Sequence, residues 1–269
     1  KALITSIRNS SIDKLNDSGY KTKKTGFSIG TRYEQYDNTF FSPSLSTEIE
    51  DLTTNADASD SLKKQTGNYF ETKLNYSLDF DNRNQKYQTS SGTRTIIRQG
   101  IPLVSEEYSI FNGVESEKWV KFGNDMITNF GVYGRAINSI NDEDVRVTDR
   151  LNLPRNRLKG FQSGRIGPVD NNDYVGGNYA VSLNFDTTLP MIMPSAESID
   201  FKYFIDAGNV WGIDYSDTID DSNKIRSATG ITIDWFTPIG PLNFSFAKDI
   251  TKASTDKTES FQFNLGTTF

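Results

Sequence analysis

The chain has 269 residues, a net charge of −6, and no Cys or His. Those absences exclude disulfides, thiolate metal sites, and Ser-His-Asp or Cys-His catalysis, and they remove the commonest zinc and haem ligands. The 29 basic residues are dispersed, which gives no nucleic-acid footprint.

Mean hydropathy is −0.56, and no apolar run is long enough for a transmembrane helix. A transmembrane barrel strand needs only about 9–11 residues and shows lipid every second one, so low hydropathy is compatible with a barrel. The opening KALITSIRNS has no apolar stretch and no initiating Met, so the chain is expected to be a piece of a longer, processed protein.

In chain order, residues 1–8 form a weak strand candidate. GFSIGTRYE then places Phe27, Ile29 and Tyr33 on one face. Residues 39–66 are polar and read as a long connection. NYFETKLNYSLDF sets Phe70, Leu74, Tyr76, Leu78 and Phe80 against Glu71, Lys73, Asn75, Ser77 and Asp79. Weaker candidates follow at 91–103, 106–121 and 124–138, and a long loop at about 139–177. NYAVSLNFD alternates Tyr179, Val181, Leu183 and Phe185 with Ala180, Ser182 and Asn184. SIDFKYFIDAG does the same with Ile199, Phe201, Tyr203 and Ile205 against Asp200, Lys202, Phe204 and Asp206. After a polar connection at 212–224, GITIDWF, the short TPIG at 237–240, PLNFSFAKDI and FQFNLGTTF repeat the pattern. A period of two means strands. The expectation is an all-β, antiparallel protein of ten or eleven strands.

A soluble sandwich also alternates, and that alternative stays open. Two features favour a membrane barrel. Aromatics stand near strand ends, at Tyr69, Phe80, Trp211, Trp235 and Phe269, as in interfacial girdles. The other face carries Lys73 and Lys202, and Lys on a lipid face at mid-depth would cost roughly 2–4 kcal/mol.

The segment 151–169, LNLPRNRLKGFQSGRIGPV, gathers Arg155, Arg157, Lys159 and Arg165 around Gly160, Phe161, Gly164 and Gly167. A basic surface loop is the plain reading of such a stretch. Leu158 to Ser163 followed by Ile166-Gly167-Pro168, however, resembles the loop-six segment of the BamA family of outer-membrane barrel assembly factors. FIDAGNVW (204–211), FDNRNQKYQTSSG (80–92), WFTPIGPLNFSFA (235–247) and FQFNLGTTF also resemble family segments, in family order across residues 68–269. The family motif has Arg where this chain has Lys159.

The resemblance implies that residues 1–269 are the C-terminal portion of a 16-stranded transmembrane barrel in the bacterial outer membrane. Periplasmic POTRA domains and about five strands would precede it. It implies that the loop at 139–177 folds inward, so that Lys159, Gly160 and Phe161 meet a wall made of Phe204, Asp206 and Asn184. A Lys159–Asp206 pair in a watery lumen would contribute about 0–1 kcal/mol. The implied function is insertion of client barrel proteins, without cofactor or enzymatic chemistry. Phe261, Phe263, Leu265, Gly266 and Phe269 would form the last strand, lateral gate and β-signal. Outer-membrane lipids, unfolded clients and accessory lipoproteins are the implied partners. A passive channel, a sister translocation-and-assembly or two-partner secretion transporter, and an acidic enzyme using Asp79 and Asp81 are the alternatives.

Overall fold

Alternating apolar and polar residues cannot bury one face inside a helix, but they suit a strand that separates two environments. In the computed structural model, residues 2–123, 125–192, 198–237 and 240–265 are described. They form β1 (Ala2–Lys14), β2 (Tyr20–Tyr36), β3 (Thr39–Thr54), β4 (Gly67–Asp81), β5 (Gly92–Ser105), β6 (Ser109–Phe122), β7 (Met126–Ser139), β8 (Val169–Asp170), β9 (Asp173–Tyr174), β10 (Tyr179–Thr188), β11 (Ile199–Trp211), β12 (Arg226–Thr237), β13 (Gly240–Thr251) and β14 (Phe261–Leu265). Among the described residues, helices are confined to two short pieces, α1 (Leu15–Ser18) and α2 (Asp60–Lys64).

One 12-stranded antiparallel sheet runs in chain order from β1 to β14, omitting only the β8–β9 ribbon. The expected ten or eleven strands therefore become twelve in the main sheet. The added strand is β3, which occupies most of the segment read as a connection at 39–66. Its faces differ little in polarity, because Ser42, Ser44 and Ser46 line one side while Pro43 and Thr47 dilute the other. Pro43, which has no N–H, lies where the β2 ladder skips from Gly30–Ser44 to Tyr33–Phe41.

The sheet's apolar face points outward. Leu183, Ile205, Ile231, Phe261, Phe263 and Leu265 are all exposed, and neighbouring strands present aromatic pairs at Phe244–Phe263 and Phe246–Phe261. The inner face carries Glu50, Glu71, Asp79, Asn184, Asp206, Asp234 and Gln262, all buried. Polar residues inside and a broad apolar skin outside are the arrangement of a transmembrane barrel wall.

The sheet has two unlike ends. The connections 55–66, 140–178, 212–225 and 252–260 gather at one, the loop end. The connections 37–38 and 82–91 lie at the other. Tyr69, expected in an outward girdle, instead shares the inner face of β4 with Glu71, and the Arg146 guanidinium lies 4.5 Å from its ring centre. Gly266 and Phe269, expected in the last strand, lateral gate and β-signal, lie outside the described residues.

Candidate functional site

The β7–β10 loop, residues 140–178, folds back into the lumen. A glycine-rich basic stretch alone would stay in water. This one carries Leu153, Leu158, Phe161 and Ile166, which bury against Tyr133, Ala180, Val210 and Ala228 of the inner wall. Gly160 is required at the point of closest approach. Its φ is +88°, and a Cβ there would stand 3.0 Å from the Ala247 Cβ and 3.1 Å from the Ala228 Cβ.

The structure brings Lys159, Phe204, Asp206 and Asn184 together. The Lys159 Nζ lies 3.1 Å from Asp206 Oδ2 and 3.4 Å from Asp186 Oδ1. It also sits 4.4 Å from the centre of the Phe204 ring. The Lys159 backbone N–H donates to Asp206 Oδ2 at 2.9 Å. Asn184 Nδ2 donates to Asp206 Oδ1 at 2.7 Å and to the Arg157 carbonyl at 2.9 Å. Asp206 is fully buried, which corrects the expectation of a watery pair. A carboxylate out of water needs these donors, so the contact is structural in weight rather than a screened surface pair.

The other basic residues of the stretch separate. Arg157 reaches Glu117 at 2.9 Å and Glu115 at 3.4 Å, both on β6. Arg155 lies 3.4 Å from Glu259. Arg165 stacks over Tyr174 at 5.1 Å.

The tip also holds the segment that leads into β14. Phe161 pairs with Thr258 in an isolated antiparallel bridge. The Glu259 N–H donates to the Gly160 carbonyl at 2.9 Å, Gln162 N–H to the Lys257 carbonyl at 3.0 Å, and Lys257 N–H to the Arg165 carbonyl at 3.1 Å. Gln262, buried on β14, donates from Nε2 to the Phe161 carbonyl at 3.0 Å. Phe261, Phe263 and Leu265 point the other way, outward. A fully buried Arg226 makes a bidentate contact to Asp256, 2.9 Å for each bond, and fixes the same connection from the β12 side.

A second basic anchor was not legible in the sequence. Arg146, almost wholly buried, faces four carboxylates: Glu107 at 3.0 Å, Asp149 at 3.0 Å, Glu71 at 3.5 Å and Glu50 at 3.6 Å. The Glu107 contact is an ion pair without hydrogen-bond alignment, since neither Arg146 Nε nor Glu107 Oε2 finds a partner of good geometry. Lys24 and Lys73 flank the cluster, bonding to Glu50 and Glu71 at 3.1 Å and 2.6 Å. Thr148 donates to Glu50 at 3.1 Å, and the Val147 N–H to Gln65 Oε1 at 2.8 Å. Glu107 lies in the β5–β6 connection at the loop end. Burial pushes its carboxyl up to about 7; Asp149, Glu143 and Glu50 add to the rise and Arg146 opposes it.

Residues 3–269 match the Omp85 superfamily domain. The outer membrane protein assembly factor BamA of Neisseria meningitidis serogroup B is 30% identical over 139 residues, which are 42% of this chain and 17% of that protein. BamA of Neorickettsia risticii is 25% identical over 210 residues, 75% of this chain and 26% of that protein. The chain thus spans about a quarter or less of the length of these relatives. The crystal structure of BamA from Haemophilus ducreyi lacking POTRA domains 1–3 superposes with a TM-score of 0.84 at 21% identity, covering 97% of this chain and 57% of that one. The chain belongs to the Omp85 superfamily, as an outer-membrane β-barrel of the BamA family.

Proposed function

We propose that this barrel segment belongs to an assembly factor that inserts and folds client β-barrel proteins in the outer membrane. The observation that carries the reading is the loop tip, which hydrogen-bonds to the wall strand β11 at Asp206 and to the last described strand at Gln262. A passive channel can narrow its lumen with a loop, but it has no need to bond that loop to β14. A machine that must hold and release its last strand has that need.

The chemistry required is templating rather than bond-making, so no cofactor and no catalytic residue are invoked. Among the described residues, strand β14 pairs with β13 over Phe261–Leu265. Its other edge offers backbone N–H and C=O groups on which a client strand can add. Outer-membrane lipids meet the apolar skin, and short apolar stretches near the seam thin the bilayer locally. Accessory lipoproteins would engage mainly through periplasmic domains beyond this chain. Lys159, Gly160 and Phe161 with Phe204, Asp206 and Asn184 are the proposed control site. Phe261, Phe263 and Leu265, continuing to Gly266 and Phe269, are the proposed gate strand.

The test uses the full-length parent protein in liposomes, with folding of an unfolded client barrel followed by protease protection. Wild type should accelerate folding. A Gly160→Ala/Phe161→Ala double variant that still folds as a barrel should not. Steady ion conduction with no acceleration by either protein would mean a passive channel instead.

A further inference from the structure

The loop touches two parts of the wall that the sheet order keeps far apart. Residues 146–149 bind β2, β3 and β4 through Lys24, Glu50, Glu71 and Lys73. Residues 157–165 bind β6, β11, β14 and the connection before β14. Strands β5, β6, β7 and β10 intervene between β4 and β11 in the sheet. A single loop therefore joins the two walls directly.

We propose that the loop is a two-point strut across the lumen, with Arg146 as the positioning residue of its fixed end and Lys159 as its releasable end. The role in gating rests on the assembly reading above; the strut itself does not.

Three observations carry this. First, the two ends are chemically alike, each a buried cation on an aromatic face among carboxylates: Arg146 on Tyr69, Lys159 on Phe204. Second, they differ in strength. Arg offers a planar fork of several donors and Lys a compact point charge, and Arg146 is shared among more carboxylates than Lys159. Third, the fixed end sits where acids outnumber bases. Glu48, Glu50, Glu71, Glu107 and Asp149 face Lys24, Lys73 and Arg146. Without Arg146 this wall repels itself and the loop's own Asp149.

Widening the seam beside β14 moves the β11–β14 wall away from the β2–β4 wall. A strut fixed at both ends opposes that movement. The Lys159 end then yields first, and its release also frees the Gly160 and Phe161 carbonyls, which accept from the Glu259 N–H and the Gln262 side-chain amide.

The test measures distance across the barrel in the parent chain reconstituted in lipid nanodiscs, in a background otherwise free of Cys. Spin labels go on Ala56→Cys and Ser254→Cys, both exposed positions at the loop end. Wild type should give one narrow distance distribution. Arg146→Ala should broaden it severalfold, and Arg146→Lys and Lys159→Ala less, because bonds to the backbone still hold the tip when the Lys159 side chain is lost. Because the two ends act in series, adding Lys159→Ala to Arg146→Ala should broaden it no further. An unchanged distribution in an Arg146→Ala or Arg146→Lys barrel that keeps heat-modifiable migration would overturn the strut, and so would independent addition of the two effects. Client folding is followed on the same proteins. Broadening with client folding intact would keep the strut and remove its role in assembly.

Discussion

At its base the loop offers Arg146 to four carboxylates and the Tyr69 ring. At its tip it offers Lys159 to Asp206 and Asp186 over the Phe204 ring. The surroundings of the tip are better satisfied than those of the base. Asp206 keeps Asn184 and a backbone N–H whatever side chain stands at 159. At the base, Glu107 has an ion pair but no aligned donor. The same residue chemistry thus yields a fixed, charge-dependent anchor at one end. At the other it yields an anchor whose backbone scaffold survives loss of the cation.

That contrast ranks the substitutions. Arg146→Ala should be the most damaging, destabilising the barrel by about 3–5 kcal/mol, because it leaves buried carboxylates unpaired. The temperature at which heat-modifiable migration is lost reads this out, and a smaller effect than Lys159→Ala would break the ranking. Lys159→Ala should cost about 1–3 kcal/mol, since Asp206 retains other donors. Gln262→Leu should cost about 1 kcal/mol through the unpaired Phe161 carbonyl, with faster hydrogen exchange confined to residues near 258–262. Lys159→Arg should raise the transition by at most about 1 kcal/mol if the cavity admits the fork, while slowing client folding.

A further effect concerns pH. The Glu107 carboxyl is raised from 4.5 to about 7, so the folded state binds more protons than the unfolded state between those values. Its stabilising contribution is full below about pH 4.5 and is lost as pH rises through about 7. Loop protection should therefore fall between pH 5 and pH 8, and Glu107→Gln should flatten that slope. An increase in protection with pH would contradict the assignment.

What could be read in advance follows from where the signals lie. Strands with lipid outside and polar groups inside, such as Phe261–Leu265 and Ile199–Trp211, declare themselves by period two. Strand β3 did not, because Ser and Thr on both faces flatten the contrast and Pro43 argues against a strand. The loop tip was legible because LKGFQSGRIGP concentrates its glycines, cations and aromatic in one stretch. The base was not. DEDVRVTDR is an ordinary mixed-charge segment, and the partners of Arg146 come from residues 50, 71 and 107. No spacing in one chain reveals contacts that only the curvature of the sheet creates.

The most direct measurement of the loop's place in the lumen is amide hydrogen exchange on the parent protein in bilayers. The N–H groups of Val147, Lys159, Gln162, Lys257 and Glu259 are each bonded across the loop's contacts with wall or connection. A loop anchored at both ends predicts that all five exchange as slowly as the amides within strands β10 and β11. Exchange at 147 and 159 as fast as that of the exposed 85–89 turn would contradict it.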